Sequence, residues 1–231
     1  MRTIEHVFFD LDRTLWDFES NSEATLKELF SEFGLTEKLG VSDNDFIQEY
    51  KRINELFWED YRNGVIQKEE LRYARFEAAL KFFGHTDRKM AMEIGELYIW
   101  RSPRKVGLVD GALDVLQYLS PRYQLHIITN GFDEVQHIKM SSSGLLPFFK
   151  HIITSENAGA KKPSPLIFRH AEMLTGARPT NSIMIGDHLK ADVQGAMGAG
   201  WKAVFFEPSL PKMNDSEFVH IHHLRELMET L

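Results

Sequence analysis

The chain contains no cysteine, which removes disulfide frameworks, thiolate nucleophiles and thiolate metal sites from consideration. It also has no apolar run approaching the roughly 18 residues of a membrane-spanning helix, so no membrane partner is expected. Positive charge is in deficit: the formal net charge is −7, which argues against a nucleic-acid polymer as partner. The first residues run directly into an apolar segment with no charged n-region and long h-region, so a cytoplasmic location is expected. There is no internal repeat and no low-complexity tract. What is present is ample core material. Of the 231 residues 43% are hydrophobic and 12% aromatic, enough for one large domain or two modest ones. No pattern in the sequence assigns an oligomeric state.

The order of the apolar patterns suggests how that material is divided. The run Val7-Phe8-Phe9 reads as a buried strand. A helical stretch follows. Leu26, Leu29, Phe30 and Phe33 recur at helical spacing, with Gly34 as a stop. Ser42 with Asp45 resembles a capping box ahead of Phe46, Ile47, Tyr50, Ile53, Leu56 and Phe57, and Gly64 breaks that helix. Leu71, Phe76, Leu80 and Phe83 mark a third helix ending at Gly84, and a fourth runs from Asp87 to Trp100, closed by Ser102-Pro103-Arg104. Beyond Gly107 the pattern alternates. Helices are predicted over about 111–120, 133–141, 164–175, 189–199 and 221–230, and strands over Gln124–Thr129, His151–Thr154, Ser182–Gly186 and Lys202–Phe206. Alternation of this kind predicts an α/β fold, a parallel sheet with helices on both faces. The first strand belongs to that sheet, so the expected organisation is an α/β core of residues 1–16 plus 105–231, with an α-helical domain of residues 17–104 inserted into it.

The first strand leads into Asp10-Leu11-Asp12-Arg13-Thr14. Side chains two apart on an extended chain point the same way, so two carboxylates are expected to converge at a strand end. At about 4 Å such a pair repels by about 4 kcal/mol at an effective dielectric of about 20, which a fold tolerates if a cation sits there or one carboxyl stays protonated. Ligands of open parallel sheets bind outside the carboxyl ends of the strands. Three more strand ends carry polar residues: Thr129-Asn130-Gly131, then Lys161-Lys162-Pro163, then Gly186-Asp187 with Asp192 beyond. Each type has a use in phosphate-ester cleavage. A carboxylate attacks phosphorus, a second one moves protons, hydroxyl and backbone donors hold phosphate oxygens, and an ammonium offsets developing charge. A further carboxylate completes an oxygen-rich Mg2+ site.

Asp10-Leu-Asp12-Arg-Thr14, Thr129-Asn130-Gly131, Lys162-Pro163 and Gly186-Asp187-(four residues)-Asp192 resemble, in order, the four motifs of the haloacid dehalogenase-like (HAD) hydrolase superfamily. The resemblance covers the whole chain. It implies a Rossmann-like core, and the inserted helices resemble the superfamily's α-helical cap. It implies Asp10 as nucleophile and metal ligand, and Asp12 as general acid/base that lends its backbone carbonyl to the metal. It implies Thr129, with the backbone around Asn130, as phosphate-binding, Lys162 as the group holding nucleophile and phosphate together, and Asp187 as the second metal carboxylate. Asp192 would support the site from behind or through a metal-bound water. The implied cofactor is Mg2+ and the implied partner a small phosphorylated metabolite. The Trp16-Asp17-Phe18 neighbourhood and the segment from Trp58 to Phe76 look most like the pyrimidine 5′-nucleotidase branch, with a nucleoside 5′-monophosphate as candidate substrate. Rival readings are a 2-haloacid dehalogenase, a phosphomutase of the β-phosphoglucomutase type, and a non-enzymatic binding protein.

Blander readings compete at each position. Asp12 alone could cap a helix or turn, Thr129-Asn130-Gly131 could be an ordinary turn, and Asp192 a first-turn acid. Lys161 and Lys162 alone are surface charges, and it is the following Pro that selects Lys162. His188 adjoins Asp187, but Mg2+ prefers oxygen. His220, His222 and His223 are expected on a solvated surface. Most aromatic residues of the insert are expected to be core. Trp16, Phe18 and Tyr61 are the candidates to line a substrate pocket.

Overall fold

The computed structural model describes residues 4–213 and 217–231. Two compact units appear, Met1–Phe18 with Val106–Leu231, and Glu19–Lys105. The first junction lies after Phe18 rather than after residue 16 for a local reason. The Asp17 N–H donates to the Gly107 carbonyl at 3.1 Å, and Trp16 forms an isolated bridge with Leu108. Among the described residues no helix is long and apolar enough to cross a membrane.

The first unit is built on a six-stranded parallel sheet. In chain order its strands are β1 (His6–Phe9), β2 (Gln124–Thr129), β3 (His151–Thr154), β4 (Ser182–Gly186), β5 (Lys202–Phe206) and β6 (Val219–Ile221). Their spatial order is β3-β2-β1-β4-β5-β6, so the chain builds outward from β1 in one direction, then returns to its other side. This reversal between β1 and β4 is where a doubly wound sheet leaves a crevice beyond its carboxyl ends. The strands are buried on both faces and so read as continuous apolar runs. Val7, Phe9, Leu125, Ile127, Ile183, Ile185 and Val204 share one core cluster with Ala112, Val115, Leu116, Leu119 and Met140. Phe8, Ile128, Met184, Ala203 and Phe205 point the other way, against Ile167, Phe168 and Ala171.

The helices begin in the second unit with α1 (Phe18–Glu32), α2 (Leu35–Leu39), α3 (Asp43–Arg62), α4 (Lys68–Phe82) and α5 (Arg88–Arg101). The expected capping box is present at α3: the Asp45 N–H donates to Ser42 Oγ at 3.2 Å, and the Ser42 N–H to Asp45 Oδ2 at 3.3 Å. The core of this unit is aromatic, with Phe30, Phe46, Tyr50, Phe76 and Tyr98 buried together. It also holds one cation that the sequence did not announce. Arg75 is 3% exposed, donates through Nη1 to Asn54 Oδ1 at 2.6 Å, and lies 5.2 Å from the ring centroids of both Phe76 and Tyr98. Desolvation makes such cation–π contacts stronger than exposed ones, at about 2 kcal/mol.

In the first unit follow α6 (Ala112–Leu119), α7 (Asp133–Ser142), α8 (Pro165–Thr175), α9 (Gly195–Gly198) and α10 (Leu227–Thr230). Three expectations are corrected. The helix over 189–199 is instead a π-helical turn, Leu189–Gln194, running into the short α9. The helix over 221–230 starts late, because Val219–Ile221 adds to β5 as a sheet edge and α10 holds only the last residues. That strand also buries His220, expected in solvent. Its Nδ1 accepts the Met213 N–H at 2.9 Å, and its ring faces Phe205 at 5.1 Å.

A buried histidine stack crosses β1, β2 and β3. His6 Nδ1 lies 3.1 Å from His126 Nε2, and the His126 ring is 5.4 Å from that of His151. Burial, then the neighbours His6 and His151, push the His126 imidazole down to about 3. The unfolded chain takes up that proton near pH 6.5, whereas the folded chain does so only near pH 3. Stability is therefore lost as pH falls through that window. Between pH 7 and 5 the loss attributable to His126 is about 2 kcal/mol. Urea unfolding of wild type and His126→Phe at both pH values measures it: the variant should lose about 2 kcal/mol less than wild type.

Candidate active site

The turn after β1 is tightly wound. The Asp10 N–H extends the ladder to the Ile185 carbonyl at 2.9 Å, and the N–H groups of Leu15 and Trp16 both return to the Leu11 carbonyl, at 3.0 and 2.9 Å. Arg13 takes φ 62°, a left-handed conformation uncommon outside glycine. Because β1 ends at Phe9, the alternation of an extended strand does not govern Asp12. Its carboxylate is held by two side chains of α7.

Asp10 is met by Lys162, and not by Lys161. Lys162 Nζ lies 2.5 Å from Asp10 Oδ1 and 2.6 Å from Asp192 Oδ1, and donates to the Ile128 carbonyl at 2.7 Å. Burial would lower the Lys162 pKa, but Asp10 and Asp192 outweigh it, and the ammonium is held charged. Burial raises Asp10 to about 7 against the pull of Lys162, with Asp192 and Asp12 adding repulsion. Asp187 is raised well above the carboxylate range by burial, then by repulsion from Asp10 and Asp192. Asp10, Asp187 and Asp192 bring oxygens within 4.8 Å of one another. Thr14 Oγ1 donates to Asp187 Oδ1 at 3.2 Å.

Asp192 is turned back by the π-helical turn: the His188 N–H donates to its Oδ2 at 3.0 Å. Gly186 makes room for it, since a Cβ there would come within 2.3 Å of Asp192 Oδ2. His188 caps the turn, its Nδ1 accepting the Ala191 N–H at 3.2 Å.

At the end of β2, Thr129 Oγ1 accepts from Gln136 Nε2 at 2.7 Å and from the Gly131 N–H at 3.1 Å. Both acceptor positions of the hydroxyl are filled, so its proton is left to donate, as an anion site needs. The side chain of Asn130 has a separate engagement. It clamps the backbone of Lys162, with Nδ2 donating to the Lys162 carbonyl at 3.0 Å and Oδ1 accepting the Lys162 N–H at 2.8 Å. Asn130 therefore positions Lys162, and any contribution of Asn130 to anion binding falls to its backbone.

Two residues were missed. Lys139 Nζ lies 2.6 Å from Asp12 Oδ1, and Gln136 Nε2 donates to Asp12 Oδ2 at 2.9 Å. The available signal was their spacing with Met140, which together form the buried face of α7. Of the three pocket candidates, Trp16 is fully buried in the first unit's core, with Lys139 Nζ 4.6 Å from its ring, and offers no surface to a ligand. Phe18 is half-buried with the Arg13 guanidinium 4.7 Å from its ring centroid. Tyr61 is buried on α3, edge-on to Trp58 at 5.6 Å.

The family model of haloacid dehalogenase-like hydrolases matches residues 4–200. The HAD-hydrolase YfnB of Bacillus subtilis is 30% identical over 99% of this chain and 94% of its own. The pyrimidine 5′-nucleotidases PynA of Streptococcus pneumoniae and YjjG of Escherichia coli are 30% and 31% identical over 87% and 84% of this chain, and over 83% and 82% of their own. The crystal structure of YfnB bound to magnesium superposes with a TM-score of 0.89 at 29% identity, covering 99% of both chains. The chain belongs to the haloacid dehalogenase-like hydrolase family.

Proposed function

We propose that this chain is a Mg2+-dependent phosphatase of small phosphomonoesters, nucleoside 5′-monophosphates among them, acting through an aspartyl-phosphate. One observation carries the reading: at the carboxyl ends of β1 and β4 three carboxylates cluster, two of them paired with the Lys162 ammonium, and at the end of β2 the Thr129 hydroxyl is left with only a proton to offer. The excess of negative charge asks for a cation, and an all-oxygen donor set suits Mg2+. Asp10 and Asp187 would hold it, with the backbone carbonyl of Asp12. Asp192, engaged with Lys162 and the His188 N–H, supports them. When bound, the ion neutralises Asp10 and the phosphoryl oxygens.

The chain's own residues do the rest. Thr129 and Lys162 bind phosphoryl oxygens. An Asp10 oxygen attacks phosphorus, the ester P–O bond breaks, and the leaving oxygen takes a proton from Asp12. Water then attacks the same phosphorus, giving its proton to Asp12, and the bond to Asp10 breaks to release phosphate. The names of PynA and YjjG support nucleotide substrates, and the magnesium in YfnB supports the metal. Dehalogenation at Asp10 would need neither the second acid at Asp12 nor Asp187.

The assay is release of inorganic phosphate from a panel of nucleoside and sugar monophosphates. Stoichiometric release separates hydrolysis from a mutase, which returns phosphate to sugar. Asp10→Asn should lower turnover by on the order of a thousandfold or more without loss of circular dichroism, because an amide is a poor nucleophile. Retained phosphate release in that folded variant overturns the mechanism. Activity should also vanish with EDTA and return with MgCl2. Full activity after exhaustive chelation would point back to dehalogenase chemistry.

A further inference from the structure

The buried face of α7 consists of Gln136, Lys139 and Met140. An inward helical face is ordinarily apolar, and here two of its three residues are polar and converge on one carboxylate. Lys139 is 6% exposed, and burying an ammonium is costly unless it is paired. Its partner is Asp12 Oδ1 at 2.6 Å, with the Trp16 ring 4.6 Å away. Gln136 is fully buried and makes a second sacrifice, because its Oε1 has no hydrogen-bond partner. That orphan stabilises nothing. It accompanies an amide orientation that aims Nε2 at both Asp12 Oδ2 and Thr129 Oγ1, at 2.9 and 2.7 Å. Gly131 is part of the same arrangement. Its backbone needs no left-handed conformation, but a Cβ there would fall 2.4 Å from Gln136 Nε2.

Building on the phosphatase reading, we propose that Lys139 and Gln136 are positioning residues that fix the Asp12 carboxylate. Lys139 holds Oδ1 from one side, and Gln136 ties Oδ2 to the hydroxyl of Thr129. One hydrogen bond is given to each Asp12 oxygen. A carboxylate accepts about four in all, so each oxygen keeps a lone-pair position for the proton it exchanges with leaving group and water. Without Lys139 the carboxylate swings about χ1 and χ2, and the proton arrives out of line.

This role has a signature that a packing role lacks. Protonation of the leaving oxygen matters for an alkyl phosphate and hardly at all for p-nitrophenyl phosphate, whose phenolate departs unassisted. The value of kcat/KM reports the steps through leaving-group departure. Lys139→Met keeps the length of the side chain against Trp16 and removes the ammonium. It should lower kcat/KM for ribose 5-phosphate by on the order of ten- to a hundredfold more than for p-nitrophenyl phosphate, with KM for both nearly unchanged. Gln136→Met should shift the same ratio in the same direction, with an added loss on both esters through Thr129, and it serves if Lys139→Met does not fold. Equal losses on the two esters, or no loss, in a folded variant overturn the positioning role while leaving the phosphatase reading intact. A wild type inert toward every monoester overturns that reading and this role with it.

Discussion

The buried ammonium of Lys162 is the contact on which the site depends. Its side chain is 2% exposed and bonds two carboxylates and a backbone carbonyl, joining the carboxyl ends of β1 and β2 to the π-helical turn after β4. Removing the ammonium from such a cluster leaves uncompensated buried charge, which costs about 3–5 kcal/mol. Much of the surrounding structure serves that one atom. Asn130 clamps the Lys162 backbone at both its N–H and its carbonyl. Gly186 lacks the Cβ that would exclude Asp192. Gly195 admits Pro163, whose Cα would lie 3.0 Å from a Cβ at that position.

Around Lys162 the charges do not balance, and that imbalance is chemically useful. Burial lifts the carboxyls of Asp10 and Asp187, while the ammonium stays charged against that same burial because Asp10 and Asp192 face it. A polar site kept away from water gives fixed charges more leverage than they would have in solvent. Asp12 is held by Gln136 and Lys139 of α7, so the two carboxylates of the first motif have different neighbours and can take different roles.

The sequence was most legible where structure is set by local pattern. The strands at Gln124–Thr129, His151–Thr154, Ser182–Gly186 and Lys202–Phe206 coincide with their apolar runs, because a strand buried on both faces leaves a run of apolar residues in sequence. Asp10, Thr129 and Asp187 stand where those runs stop, and Lys162 and Asp187 lie against Asp10. Illegible features were those decided by partners distant in sequence. Lys139 and Gln136 look like solvent-facing helix residues until α7 is laid beside the β1 turn. Arg75 looks like a surface charge until Tyr50, Phe76 and Tyr98 surround it. Val219–Ile221 is too short to declare itself as a strand without β5 beside it. His220 was misjudged for the same reason.

The strand order has a consequence for when the reactive group comes into being. β1 is the first of the six strands in chain order, yet its two neighbours in the sheet begin at Gln124 and Ser182. During synthesis from the N-terminus, Asp10 exists long before anything can shield it. Its ammonium partner arrives with residue 162, and its backbone ladder partner only with Ile185. A nascent chain cut short of β4 lacks both that ladder partner and Asp192, the second carboxylate on Lys162. The buried setting of Asp10 is complete only when the sheet has closed on both sides of it.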